Sequence, residues 1–354
     1  MKRRLLLLLL SCLLVVLPSC SSTQAVPNTP TTVGVTTAGS TVGETSQSVV
    51  NVPPYKLAYA LISATGTTSY NNGIEFIRLV GELSGGAITI EFFPDSVLGT
   101  ETANQADLLS GALDMAALAS SVSSVVKECG LFDLPYMITD RAQMKTLEDA
   151  GVLDVIREKA AEQGLIILSF SENGFRHITN GTKPINVPAD LKDLKIRTPN
   201  NTLRMKTFQS LGANPSPVAL GELYQALSQG VVQGQENTIN QTYGNRFYEV
   251  QKYFSKSYHI YSPGFLIMSK ITWDKLTKEQ QDIMMEAGRI NGDYARASMA
   301  EADDKQLKLM EESGVEVNEV DIEAFRIAMM PLWDEFAEEI GVDLVNMAKK
   351  ALGY

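Results

Sequence analysis

Gly174-Phe-Arg-His-Ile-Thr-Asn180, Asp190-Leu-Lys-Asp-Leu-Lys-Ile-Arg-Thr-Pro199 and Gly230-Val-Val-Gln-Gly-Gln-Glu-Asn237 are three polar-ended stretches of a 354-residue chain, and the fold is read outward from them. Each contains a short apolar run of strand character, at 175–179, 194–198 and 231–235. Arg176 and Arg197 stand 21 residues apart, and Asn237 follows 40 residues after the second arginine. Pro199 holds Thr198 extended, so the Arg197 strand stops there. Guanidinium forks at strand ends suit a carboxylate gripped by two parallel hydrogen bonds.

Upstream, Tyr55–Ile62 and 84–93 read as strands flanking a helix at 69–83, a β-α-β unit. A helix at 101–111, a strand at 114–118, a helix at 141–163 and a strand at 165–169 continue the alternation. Between and after the opening stretches come helices at 200–211, 219–228 and 238–249 and a strand at 214–218. Tyr258–Ser269 is a long apolar strand interrupted by Pro263-Gly264, which reads as a crossing between domains. Thr277-Lys-Glu-Gln280 is a capping box opening a helix to about residue 313. At 1.5 Å per residue that rod exceeds about 50 Å, long enough to span two domains. Helices at 320–338 and 341–352 finish the chain. About 300 folded residues also exceed one comfortable core. The expectation is an α/β protein of two domains, with a cleft between them and a long helix crossing both.

The chain opens on Met1-Lys-Arg-Arg4, then Leu5–Leu10 and further apolar residues up to Leu17-Pro-Ser-Cys20. A basic start and an apolar run of about 13 residues, below the roughly 20 of a bilayer span, make an export signal. Leu17-Pro-Ser-Cys20 resembles a bacterial lipobox, which makes 1–19 a signal peptide and Cys20 the lipid-bearing first residue of the mature chain. Residues 20–54, rich in Ser, Thr, Val, Gly and Pro, read as a flexible tether. Losing residues 1–19 removes Lys2, Arg3 and Arg4 and no acid, so the formal charge moves from −11 to −14. Such acidity argues against nucleic acid and anionic membrane surfaces as partners. Cys129 is then the one cysteine in the folded part, which excludes an intrachain disulfide there, and it reads as a small buried hydrophobe.

Catalytic motifs are absent from the sequence. It has no Gly-x-Ser-x-Gly elbow, Walker loop, Gly-x-Gly-x-x-Gly turn or His-Glu-x-x-His pair, and its two histidines, His177 and His259, lie 82 residues apart. No catalytic residue, metal site or cofactor is expected. The acids at 301–323 read as a solvated helix face.

From Tyr55 to the C-terminus the chain resembles the solute receptors (DctP-like family) of tripartite ATP-independent periplasmic (TRAP) transporters. Gly-x-Arg at 174–176, Lys-Ile-Arg-x-Pro at 195–199 and Gly-Gln-Glu-Asn at 234–237 carry the resemblance. It implies a periplasmic-binding-protein-like fold with domain I at 55–174 plus 263–302 and domain II at 175–262 plus 303–354. It implies that Arg197 pairs with a ligand carboxylate, with Arg176 and Asn237 contributing. Asn237 also suits the cap of the helix that follows. Ser120 and Ser121, after the 114–118 strand, face the expected cleft; Leu220 falls where relatives carry a pocket aromatic; Tyr243, beyond Asn237, walls the site. His259 reads as structural. Gln233, Thr238 and Asp193 depart from the family pattern, and the Thr238 change bears on the aim of Asn237. The polar segment from Ser63 to Tyr70 is a candidate for setting substrate choice. The implied partners are a small organic acid, an ion-gradient-driven membrane permease and, through Cys20, the outer face of a membrane. Two other readings stand beside it: the ligand-sensing part of a signalling system, and a secreted hydrolase or lyase acting on acids.

Overall fold

In the computed structural model, residues 52–354 are described and belong to one compact unit. The export signal, Cys20 and nearly all of the tether lie outside the described residues. The first strand, β1 (Tyr55–Leu61), turns Leu57, Tyr59 and Leu61 inward. It is followed by β2 (Ile88–Phe93), β3 (Met115–Leu118), β4 (Leu165–Asn180), β5 (Lys195–Thr198), β6 (Asn214–Pro217), β7 (Gly234–Thr238), β8 (Tyr253–Ser269) and β9 (Glu316–Glu319). They form a single mixed sheet in the order β2-β1-β3-β8-β4-β7-β5-β6, with β9 parallel to β8.

The sheet has two halves joined by one antiparallel pair. β3 runs beside the end of β8 (Phe265–Met268), with parallel β1 and β2 outward of it. β7 runs beside the end of β4 (Arg176–Asn180), with parallel β5 and β6 outward of it. Thus β4 and β8 pass through both halves, and the α/β, two-domain expectation holds.

Several predicted elements change. The strands expected at 165–169 and 175–179 are one 16-residue strand. Gly174 at φ 110° and a register shift between Glu172 and Gly174 let β4 bend through its polar middle without breaking. β8 likewise runs through Pro263-Gly264 and begins earlier, at Tyr253. The helix expected at 141–163 is two, Gln143–Asp149 and Val152–Glu162, because Gly151 adopts φ 76° between them. Pro331 divides the one expected at 320–338 into Ile322–Met329 and Leu332–Ile340.

Helix Thr68–Leu83 lays Phe76 and Val80 over β1, in a core with Leu57, Met115, Met268 and Met284. Ile178, Leu191, Ile196, Phe208 and Phe325 build the core of the other half. The long helix runs Lys278–Glu312, 35 residues, and its capping box forms as expected: Thr277 and Gln280 each bond the other's backbone N–H. That is about 52 Å of helix. It lies very close to β4. A Cβ on Gly288 would stand 2.5 Å from the Leu168 carbonyl oxygen, and one on Gly292 2.7 Å from Ser169 Oγ. Gln280 Nε2 donates to the Pro53 carbonyl (2.8 Å), which ties the segment preceding β1 to this helix.

Candidate functional site

The carboxyl ends of β1, β3, β5 and β7 converge on the bend of β4 and enclose a cavity of about 90 Å³. That is well above the roughly 10–15 Å³ that admits one water. In open α/β sheets such strand ends are the usual place for a ligand. Tyr59, Leu61, Leu118, Pro199, Leu220 and Leu266 supply its apolar wall. Its polar lining includes Arg176, Arg197, Asn237 and Ser120, together with Glu101 and Asn72.

The two arginines, alike in sequence, differ in their surroundings. Arg176 is buried against Glu236 on the neighbouring strand. Its Nε donates to Glu236 Oε2, and its Nη2 donates to Glu236 Oε1 (2.9 Å) and to the Glu236 carbonyl (2.8 Å). Burial lowers the Arg176 pKa, and Glu236 opposes that. Glu236 also faces Arg204 Nη1 at 3.8 Å and His259 Nε2 at 3.4 Å. Burial alone would push the Glu236 carboxyl up, but Arg176 and Arg204 hold it well below the usual carboxylate range. Arg204 is completed by Asp133, which accepts from its Nε at 2.7 Å. Together these charges form an internal network, and burial lowers the pKa of His259 beside it, against the pull of Glu236.

Arg197 is 3% exposed, and its Nε donates to the Val218 carbonyl at 2.8 Å. Among the described residues it has no ion-pair partner. Burial pushes its pKa down to about 9, against the pull of Glu236, so it keeps its charge at neutral pH. A buried cation that lines a cavity and lacks an anion is set up to receive one.

The remaining residues singled out from sequence divide. Ser120 and Leu220 line the cavity. Ser121 does not: its Oγ donates to Gln105 Oε1 (2.9 Å), and neither residue is part of the lining. Tyr243 also lies off the cavity, stacked on Tyr248 at 5.5 Å with the rings 12° from parallel. Asn237 lines it, but Thr238 caps the next helix, accepting from Gln241 N (3.3 Å). That helix is only Ile239–Gly244, not 238–249, because Arg246 turns left-handed (φ 59°) and a separate single turn follows. Its short N-terminus adds little field at the cavity. Sequence reasoning missed Tyr59, Asn72, Glu101, Asn173 and Gln241, none of which sits in a recognisable motif. It did single out the Ser63–Tyr70 segment, from which Ser63 and Ser69 reach the lining. The same segment touches the far side. Thr68 N donates to Asn240 Oδ1 (3.1 Å), Asn240 Nδ2 to Ser69 Oγ (2.9 Å) and Gln241 Nε2 to Ser63 Oγ (2.9 Å).

Comparisons with known proteins bear on the family and the fold. Residues 59–339 match the family described as bacterial extracellular solute-binding protein, family 7. The 2,3-diketo-L-gulonate-binding periplasmic protein YiaO of Escherichia coli K12 is 34% identical over 277 residues, 77% of this chain and 84% of that protein. A sugar acid binding protein from Advenella mimigardefordensis, solved in complex with galactonate, is 28% identical with a TM-score of 0.81, covering 85% of this chain and 99% of its own. A TRAP periplasmic solute-binding protein from Sulfurospirillum deleyianum, solved with bound succinate, is 28% identical with a TM-score of 0.79, covering 84% and 99%.

Proposed function

Because the chain belongs to bacterial extracellular solute-binding protein family 7, the receptors of TRAP transporters, we propose that it captures a small organic acid outside the cytoplasm and passes it to an ion-gradient-driven TRAP permease. The observation that carries this reading is Arg197, a buried charged guanidinium on the cavity that has no ion-pair partner among the described residues. The carboxylates printed for the solved relatives, galactonate and succinate, are the kind of anion it would take. Arg176 serves a different end: committed to Glu236, it shapes the strand ends and adds positive field. Asn237, Ser120 and Leu220 complete the ligand's surroundings. The protein performs binding and delivery, without catalysis.

The domains we assign are 55–174 plus 263–302 and 175–262 plus 303–354. The bend of β4 at Gly174 and the register shift opposite Ser262 and Pro263 support two of the crossings. Ligand would favour the closed arrangement only by binding it better than the open one. Lipid on Cys20 and the tether beyond it would keep the receptor at the membrane, since several acyl chains anchor firmly where one binds marginally. Native mass spectrometry of gently purified protein tests both points. The expected result is a co-purified organic acid and an acylated N-terminus at Cys20. A nucleotide, peptide or neutral sugar in the cavity would refute the acid reading, and a lipid-free N-terminus elsewhere would refute the anchor.

A further inference from the structure

The two halves of the sheet carry helices that meet beside the cavity. Helix Thr68–Leu83 packs on β1 in one half, and helix Ile239–Gly244 follows β7 in the other. Thr67 caps the first helix by accepting from Tyr70 N (3.1 Å), which leaves Thr68 N without a partner inside that helix. Asn240 Oδ1 accepts from it (3.1 Å), and Asn240 Nδ2 donates to Ser69 Oγ (2.9 Å). The N-terminus of one half's helix is thus completed by a side chain of the other. Gln306 Nε2, on the long helix, donates to Thr68 Oγ1 (3.3 Å). One turn beyond Asn240, Gly244 receives the Thr67 side chain: a Cβ there would stand 2.4 Å from Thr67 Cγ2 and 3.4 Å from Thr67 Cβ. The φ of Gly244 lies outside the left-handed region, so its backbone does not call for glycine. Asn240 is fully buried, and none of Asn240, Gly244, Thr67 and Thr68 lines the cavity.

From this contact we propose that Asn240 and Gly244 are positioning residues for capture: they hold the cleft shut over a bound acid without touching it, Asn240 by capping the opposite helix and Gly244 by leaving room for Thr67. The inference rests on the receptor reading and on the domain assignment above. When the domains part, Thr68 N, Ser69 and Asn240 return to water, which satisfies them at little cost. Each bond therefore contributes modestly, but it belongs to the closed form alone, and an interaction made in one form shifts the balance by its full amount. The Gly244 contact is steeper. A methyl group at that position has no room unless the turn at Thr67 withdraws. The same turn carries Ser63 and Ser69, which line the cavity, so a misfit there lifts one wall away from the ligand.

Stopped-flow and calorimetric titration of the full chain with galactonate and succinate, the acids bound by two solved relatives, test it. Gly244→Ala is expected to weaken binding of the tighter acid about tenfold or more, through faster dissociation with association nearly unchanged. Thr67→Ser keeps the capping hydroxyl and removes the obstructing methyl, so combining it with Gly244→Ala should recover most of the loss. Asn240→Ala should weaken binding about tenfold. Asn240→Asp should lose less, because a carboxylate still accepts from Thr68 N at the positive end of a helix. Ligand-free melting temperatures should match wild type in every variant. Unchanged dissociation from Gly244→Ala, or no recovery in the double variant, overturns the inference and leaves the receptor standing. A matching drop in the ligand-free melting temperature also overturns it, since the contact would then belong to the fold and not to capture. If Gly244→Ala does not fold, the dissociation rate of Asn240→Ala decides in the same way. If neither acid binds the wild type, the receptor reading falls and this inference with it.

Discussion

Replacing Arg197 with alanine separates a ligand clamp from a structural arginine. The guanidinium is almost fully buried and makes one bond among the described residues, to the Val218 carbonyl. A ligand carboxylate docked there would lose its only charged partner, and removing one member of a buried pair costs about 3–5 kcal/mol. At about 1.4 kcal/mol per tenfold, affinity should fall by about two to nearly four orders of magnitude. Arg197→Lys should recover part of that, because an ammonium lacks the planar fork. Without ligand two small effects oppose each other. The lost hydrogen bond costs about 1 kcal/mol. Against it, a cation whose pKa burial has pushed down to about 9 no longer has to be held in the fold. The ligand-free melting temperature should therefore stay within about 4 °C of wild type. Titration calorimetry with the acid identified by mass spectrometry, beside thermal melts of both forms, makes the comparison. Near wild-type affinity in the alanine variant would sink the clamp; a collapsed melt of the ligand-free variant would show that Arg197 holds the fold.

Three further outcomes follow from buried groups elsewhere. Cys129 is 3% exposed and burial pushes its thiol well up, so a thiol reagent should label it fully only after denaturation, and rapid native labelling would contradict its packing. Gly288→Val forces a side chain against the Leu168 carbonyl and should cost about 1–3 kcal/mol or more in urea unfolding; an unchanged midpoint would mean the helix does not lie that close. Asp303 shares Arg141 with Glu172, and burial raises its carboxyl from 3.8 to about 7. A carboxyl raised in the folded state favours folding below the unfolded pKa, and that contribution is lost as pH rises through the folded value. Asp303→Asn should therefore gain stability relative to wild type as pH is raised from about 4 to about 7, and parallel pH profiles for the two proteins would refute it.

The architecture was legible because its signals are local. Leu57, Tyr59 and Leu61 alternate in β1, and Thr277 with Gln280 announces the long helix. What was hidden depends on distant pairing. Nothing in Ser171-Glu-Asn-Gly174 tells the reader that β4 continues, since its partners Pro263 and Gly264 lie about 90 residues away. Glu316-Val-Asn-Glu319 has no strand pattern of its own and becomes one only by lying along Tyr253–Lys256. The site divides in the same way. The motifs put Arg176, Arg197 and Asn237 on the cavity, yet only three-dimensional neighbours distinguish the two arginines: Glu236 satisfies one and leaves the other open. Glu101 reads as an ordinary acid in the first turn of a helix, and its approach to Ala119 and Ser121 has no sequence signature.

The sheet order also constrains when the chain can fold. Among the described residues, β3 pairs toward the middle of the sheet with β8, and β4 is joined to the strands of the first half by pairing with β8. A chain crossing a membrane from its N-terminus would thus present β1 through β7 on the far side before residue 269 arrives to join them. Until then the first half lacks its inner neighbour, and β3 and β4 expose unpaired edges open to the wrong strand. Long-range pairing of this kind slows folding. In a chain exported from its N-terminus, the cavity could take shape only once Tyr253–Ser269 had arrived to pair with β3 and β4.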